Sequence, residues 1–84
     1  MSYSIRILRR GQKALARFPK QDYERVIEAI RGLAADPRPP GARKLRGRDG
    51  WRIRIGSNRV IYEIEDADKI VTVLDLGHRS NIYR

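Results

Sequence analysis

Cysteine is absent from the 84 residues, and histidine, tryptophan, phenylalanine and methionine occur once each. Without cysteine there is no disulfide framework and no thiolate metal site. The one histidine, His78, would need carboxylate partners to hold a metal, so no cofactor is expected. Long apolar runs are also missing. The opening MSYSIRILRR lacks the uninterrupted stretch of a signal peptide, and nothing later is long enough to span a bilayer, so a cytoplasmic location is expected. A chain this short buries only about 60–65% of its unfolded surface. One domain over residues 1–84 with an economical core is expected, and two domains are excluded.

Acidic residues are scarce as well: 10 Asp and Glu stand against 19 Lys and Arg, a formal charge of +9. Polyanions are the natural partners of such a surface. Between positions 43 and 59 lie Arg43, Lys44, Arg46, Arg48, Arg52, Arg54 and Arg59, with Asp49 as the one acid. A solvated surface accounts for some dense charge runs. The bias toward arginine points further, because its planar fork grips a phosphate at two points where lysine offers a point charge.

Tyr3 to Leu8 alternates loosely and predicts an opening strand. Gly11 to Phe18 predicts a short helix, and Pro19 suits the first turn of a second one. In that second helix Tyr23, Val26, Ile27, Ile30, Leu33 and Ala34 form one apolar stripe, which reads as core. Asp36-Pro37 ends it. A basic loop follows, with one short strand around Lys44 to Arg46. From Trp51 onward period-two alternation, broken at Gly56-Ser57-Asn58 and at Asp66-Ala67-Asp68, predicts a three-stranded meander. The expected class is α+β: an N-terminal strand and a helix hairpin packed on one face of a small, mainly antiparallel sheet.

Hairpin parity then assigns faces. A two-residue turn at Ser57-Asn58 puts Arg54 opposite Ile61 and Arg52 opposite Glu63, with Trp51, Ile53, Ile55, Val60, Tyr62 and Ile64 turned to the core. An odd loop would bury guanidinium groups at several kcal/mol each, roughly. Placing Ile64 opposite Ile70 puts Asp75 opposite Arg59, as half of a cross-strand ion pair that orients it. Ile61, Val71 and Val73 then fall on the outer face, an apolar strip suited to a protein partner.

After the last strand come Gly77, His78, Arg79 and Tyr83. The W-R-I-R strand, the S-N-R-V-I-Y strand and the G-H-R followed by I-Y together resemble the RelE/ParE toxin superfamily. The K-L-R-G segment at positions 44–47 resembles RelE-type members in particular. The resemblance spans nearly the whole chain and implies a RelE-like fold. It also implies the toxin of a type II toxin–antitoxin system, held inactive by a cognate RelB-like antitoxin. On release such a toxin acts as a ribosome-dependent endoribonuclease that cuts messenger RNA in the ribosomal A site.

The family's catalytic positions fall on Arg52 and Arg54, Arg59, Arg79 and Tyr83, while Arg43, Lys44, Arg46 and Arg48 would contact the ribosomal RNA backbone. The implied chemistry uses no metal: a ribose 2′-hydroxyl attacks its own phosphate while cations steady the added charge. Arg59 and Arg79 would clamp the phosphate, and Tyr83 would stack on a base or position the nucleophile. Family members commonly carry lysine at the first pair. Arginine there, with a pKa above about 12, is a poor general base. His78, with an ordinary pKa of about 6.5, is one candidate for that role; a structural role at the glycine turn is another reading, and catalysis by electrostatics without a dedicated base a third. Two rival functions are a ParE-like inhibitor of DNA gyrase, against which the full arginine set argues, and a nonenzymatic RNA-binding module.

Overall fold

Pro19 has no backbone N–H to lose, and with φ at −57° it is the residue from which a long helix departs. In the computed structural model, which describes residues 2–78, that helix is α2 (Lys20–Ala35). It is preceded by β1 (Ser4–Ile7) and α1 (Arg9–Ala16) and followed by β2 (Arg43–Lys44), β3 (Trp51–Ile55), β4 (Asn58–Glu65) and β5 (Ile70–His78). Helix α1 begins two residues earlier than expected, because Arg9 and Arg10 are good helix formers and the Gln12 amide reaches the Leu8 carbonyl at 3.0 Å. The short strand is Arg43–Lys44 instead of one reaching Arg46. Among the described residues no helix is long and apolar enough to cross a membrane.

The strands form one sheet in the order β1-β5-β4-β3-β2, with β1 parallel to β5 and the other pairs antiparallel. The chain is thus α+β, two helices packed against a five-stranded mixed sheet. The core between them holds Leu15 of α1, Val26, Ile30 and Leu33 of α2, and Ile53, Val60, Tyr62, Val71, Val73 and Leu76 of the sheet. The α2 residues recur at four- and three-residue steps, which keeps them on one helix face.

The β3–β4 hairpin has the expected parity but a different turn. Ile55 pairs with Asn58, Arg54 with Arg59 and Arg52 with Ile61, so the turn residues are Gly56 and Ser57. Gly56 has φ 62° while Ser57 stays negative, the backbone of a type II′ turn, which wants glycine first. Sliding the pairing by a whole residue pair leaves every side chain on its expected face.

The β4–β5 pairing departs from expectation, and the consequence is larger. The loop is four residues, Asp66 to Lys69, with Lys69 at φ 57°, so Ile64 faces Val71 and not Ile70. A slip of one residue exchanges the two faces of a strand. Val71 and Val73, expected on the outer face, are therefore fully buried in the core. A β-bulge between Ile61 and Tyr62 then absorbs one extra residue, Leu74, and restores the parity beyond it. Asp75 ends on the expected face but opposite Ile61, while Arg59 faces Gly77. Ile61 is not wet either, at 3% exposure.

Two glycines give a test of helix packing. A β-carbon at Gly32, in α2, meets nothing within 4 Å, whereas one at Gly11 in α1 would lie 3.0 Å from Ile7 Cγ2. Gly32→Ala is expected to stabilise the fold by about 0.5–1 kcal/mol through helix propensity. Gly11→Ala gains the same propensity but crowds Ile7, and overpacking costs roughly 1–3 kcal/mol, so it is expected to be less stable than Gly32→Ala. Chemical denaturation of both variants beside the wild type checks this order.

Candidate functional site

Opposed residues in an antiparallel pair share a face, and like charges placed opposite each other destabilise a sheet. Two such pairs stand side by side on the face away from the helices: Arg43 opposite Arg52 across β2 and β3, and Arg54 opposite Arg59 across β3 and β4. Arg54 and Arg43 are exposed, and Arg52 and Arg59 half-buried. A sheet built for stability alone would put carboxylates at two of these positions. Four guanidinium groups gathered on one sheet face make a strongly cationic surface suited to a polyanion.

Two neighbouring clefts open on this face. The larger, about 600 Å³, is lined by Arg43, Lys44, Leu45, Arg46, Arg48, Arg52 and Arg59. The other, about 470 Å³, is lined by Arg43, Arg52 and Arg54 together with Pro40, Gly41 and Ile53. The loop cations Arg46 and Arg48, with Arg43 and Lys44, were expected to stand apart from the strand arginines. The structure brings them into the same cleft, because the segment from Leu45 to Gly50 folds back over β3 and β4. Leu45, buried at 9% exposure, anchors it, and its amide bonds the Gly50 carbonyl at 3.0 Å. Gly50, at φ 120°, allows the close approach: a β-carbon there would lie 3.1 Å from Leu45 Cδ1 and 3.2 Å from the Tyr62 carbonyl oxygen.

The segment before β2 is tied down by polar contacts. The buried Tyr62 hydroxyl donates to the Pro37 carbonyl at 2.7 Å, and burial pushes its pKa up to about 12. Arg38 grips Asp66 through two nitrogens, at 3.3 and 2.9 Å, and lies 5.3 Å from the Trp51 ring centroid. Tyr3 adds a hydroxyl donated to the same carboxylate at 2.6 Å. These bonds, Arg38's first and then Tyr3's, hold the Asp66 carboxyl down at about 2. The Pro39–Gly41 turn that borders the smaller cleft is thereby fixed to the sheet.

Other expected site residues lie elsewhere. His78 pairs with Asn58, on the helix-side parity of β5, and lines a separate groove with Arg10, Arg17, Asp22 and Asp75. It is among the residues of neither arginine cleft. Asp75 makes its ion pair with Arg10 of α1, at 3.5 Å, instead of standing opposite Arg59 to orient it. Arg79 and Tyr83 lie outside the described residues. Among those described, no group of three or more histidine, aspartate or glutamate side chains is placed to hold a metal ion.

Comparison with known proteins agrees with this architecture. Residues 5–83 match the family model described as the ParE toxin of the type II toxin–antitoxin system parDE. The chain belongs to the RelE/ParE toxin superfamily. It is 31% identical to toxin RelG of Mycobacterium tuberculosis over 100% of this chain and 99% of that protein. Its fold is similar to that in the archaeal RelE–RelB complex from Pyrococcus horikoshii, with TM-score 0.81, 32% identity and coverage of 96% and 99% of the two chains. It is also similar to that in the RelBE2 toxin–antitoxin complex of Mycobacterium tuberculosis, with TM-score 0.82, 25% identity and coverage of 94% and 100%.

In this RelE/ParE member the residues that sequence reasoning missed are supports. Leu45 left one signal, as the only large apolar side chain in the run ARKLRGRDG. Arg38 and Asp66, 28 positions apart, left none. Their clamp predicts a pH effect. The unfolded carboxyl of Asp66 protonates near 3.8 and the folded one near 2, so the clamp's contribution is fully present above about pH 4 and disappears as pH falls through about 2. The thermal midpoint of Asp66→Asn is expected to lie below the wild type at neutral pH and to converge with it near pH 2. Parallel melts across that range check this.

Proposed function

We propose that this chain is the toxin of a type II toxin–antitoxin pair, one cytoplasmic domain over residues 1–84 that cuts messenger RNA in the ribosomal A site and so stops translation. The observation that carries the reading is the pair of in-register arginine couples, Arg43 with Arg52 and Arg54 with Arg59, on the sheet face away from the helices. Membership of the superfamily supports it, as does the likeness to chains named RelE in complexes with RelB. A RelB-like antitoxin is the proposed inhibitor, and messenger RNA on the ribosome the substrate.

In this reading Arg52, Arg54, Arg59, Arg79 and Tyr83 make up the cleaving site, and Arg43, Lys44, Arg46 and Arg48 extend its grip on the RNA. The 2′-hydroxyl of one ribose gives up its proton to water as it attacks the adjacent phosphorus, the 5′-oxygen of the next nucleotide leaves and takes a proton from water, and a 2′,3′-cyclic phosphate remains on the upstream piece. Charge accumulates on the non-bridging oxygens as the new bond forms. Guanidinium groups already fixed on a sheet stabilise that charge without having to reorganise. Tyr83 would stack on a splayed base. His78, on the helix-side parity of β5, takes no part in this proposal, so electrostatic stabilisation of the phosphate supplies the main catalytic effect.

A second reading, inhibition of DNA gyrase, is favoured by one observation: the family model that matches is named for ParE. Mapping message 5′ ends after induced expression separates the two. New ends within translated regions are expected, and intact messages with damaged DNA would favour gyrase. Arg59→Gln and Arg79→Ala are each expected to reduce cleavage by at least about tenfold, since one lost charge-assisted contact is worth roughly 1.5–3 kcal/mol. Growth arrest by a correctly folded Arg79→Ala variant at the wild-type level would defeat that residue's assignment.

A further inference from the structure

Residues 1–21 carry Arg6, Arg9, Arg10, Lys13, Arg17 and Lys20 and no Asp or Glu, a second basic stretch apart from the arginine face. Helix α1 sorts these charges. Gly11 faces Ile7, Val73 and Leu76, and Leu15 is buried in the core. Arg9, Lys13 and Arg17 are exposed and follow one another at four-residue steps, so they form one ridge on the side of α1 turned from the sheet. Each step is about 6 Å along the axis. Arg10 pairs with Asp75 at 3.5 Å, and Asp22 shares a groove with Arg17. Among the described residues no acid forms an ion pair with Arg9, Lys13 or Arg17. The helix gains nothing from this arrangement. Cations four residues apart repel, Arg9 and Arg10 stand in the first turn where the dipole favours acids, and Leu8 at the N-cap supplies no side-chain bond.

We propose that the Arg9–Lys13–Arg17 ridge is a second RNA-docking surface, one that binds the phosphate backbone of a double-helical RNA segment. The partner follows from what the ridge offers and what it lacks. Single strands are held by aromatic platforms as well as cations, and the outward side of α1 carries Arg9, Gln12, Lys13, Ala16 and Arg17. A helix lying on a membrane sinks its apolar face into the lipid, and that face of α1 is in the core. The backbone of a duplex asks only for cations spaced like successive phosphates along one strand and held on a rigid element. The inference rests on the cleavage reading at one point: a message on the ribosome is enclosed by folded RNA, which brings such a duplex within reach. The arginine clefts open on the opposite face of the sheet, so the two surfaces hold different RNA segments. Helix α1 then contributes to recruitment and takes no part in the chemical step.

The test compares the full wild-type chain with the triple variant Arg9→Gln, Lys13→Gln, Arg17→Gln. Fluorescence anisotropy measures affinity for a short 2′-O-methyl RNA duplex and for a 2′-O-methyl single strand, neither of which can be cleaved. Glutamine matches the replaced residues in helix propensity and removes their repulsion, so the variant is expected to melt no lower than the wild type. Its affinity for the duplex is expected to fall at least about tenfold, and the slope of log affinity against log salt by about 2–3, at roughly 0.9 for each phosphate contact. Single-strand affinity is expected to stay within about twofold, because the clefts lie on the far side of the sheet. Unchanged duplex affinity in the variant, or an equal loss for the single strand, overturns the ridge as a separate surface. Tighter binding of the wild type to phosphatidylglycerol vesicles than to the duplex, lost in the variant, transfers the ridge to a membrane and overturns the RNA assignment. Mapped message ends keep the two readings apart. Uncut messages with the duplex pattern intact remove the cleavage reading and leave the ridge, and cut messages with unchanged duplex affinity do the reverse.

Discussion

The rest of the molecule depends on the two-residue turn at Gly56-Ser57. In a strand every second side chain crosses to the other face, so an even loop is what keeps Arg52, Arg54 and Arg59 on one side and Ile53, Val60 and Tyr62 on the other. A loop longer by one residue would turn one strand over against the other. Turning β3 would expose Ile53 and bury Arg52 and Arg54, and turning β4 would expose Val60 and Tyr62 and bury Arg59; an unpaired charge in the core costs several kcal/mol, roughly. Glycine at the first turn position, with φ at 62°, makes the short loop inexpensive. The same parity that closes the core therefore concentrates the cations, and one local choice serves both.

Concentrating like charge has to be offset by rigid support from elsewhere, and the segment after α2 shows how. Pro37 receives the Tyr62 hydroxyl from the centre of the sheet, and Arg38 is held by Asp66 and lies over Trp51. This cation is thus absorbed in structure, by a carboxylate at the β4–β5 turn and an aromatic face, at the border of the arginine clefts. Arg43 to Arg48 follow immediately and are held over the sheet by Leu45 and the permissive backbone of Gly50. Anchoring residues and anion-gripping residues thus alternate along one stretch of chain.

Much of this was legible in the sequence, and the failures have physical causes. The β3–β4 faces were readable because W-R-I-R-I alternates so strictly that one parity is much cheaper than the other, even though Val60, Ile61 and Tyr62 run together in β4. The β5 faces were not, because IVTVLDL offers apolar residues at both parities: Ile70 and Leu74 would serve as well as Val71 and Val73. Nothing in Asp66-Ala67-Asp68-Lys69 distinguishes a loop of four residues from one of five, since Lys69 takes up a positive φ that a lysine rarely adopts. The bulge at Leu74 then concealed the slip, returning Asp75 to its expected face while moving its opposite residue from Arg59 to Ile61. The cation cluster is legible in composition, but the meeting of Arg46 and Arg48 with Arg52 and Arg59 in one cleft depends on the fold-back of Leu45, a tertiary event. His78, one of three readings for the proton acceptor, pairs with Asn58 and lines the groove beside α1.

Residue type sets what the arginine face can do. Lysine loses its proton readily when crowded by other cations, and a family site with lysines can draw on that; arginine stays charged under the same pressure. Four arginines in two opposed pairs make a poor proton acceptor and a strong, permanent field. In the proposed reaction the barrier that such a field lowers is the one associated with charge at phosphorus, and its effect is greatest where the groups are already fixed and partly removed from water. Arg59 and Arg52 are half-buried on a rigid sheet and meet that condition more closely than Arg43 and Arg54, which are exposed. The electrostatic work therefore falls mainly on the inner pair. The chemistry that such a field serves also needs a nucleophile held in line with the leaving oxygen and an acceptor for its proton.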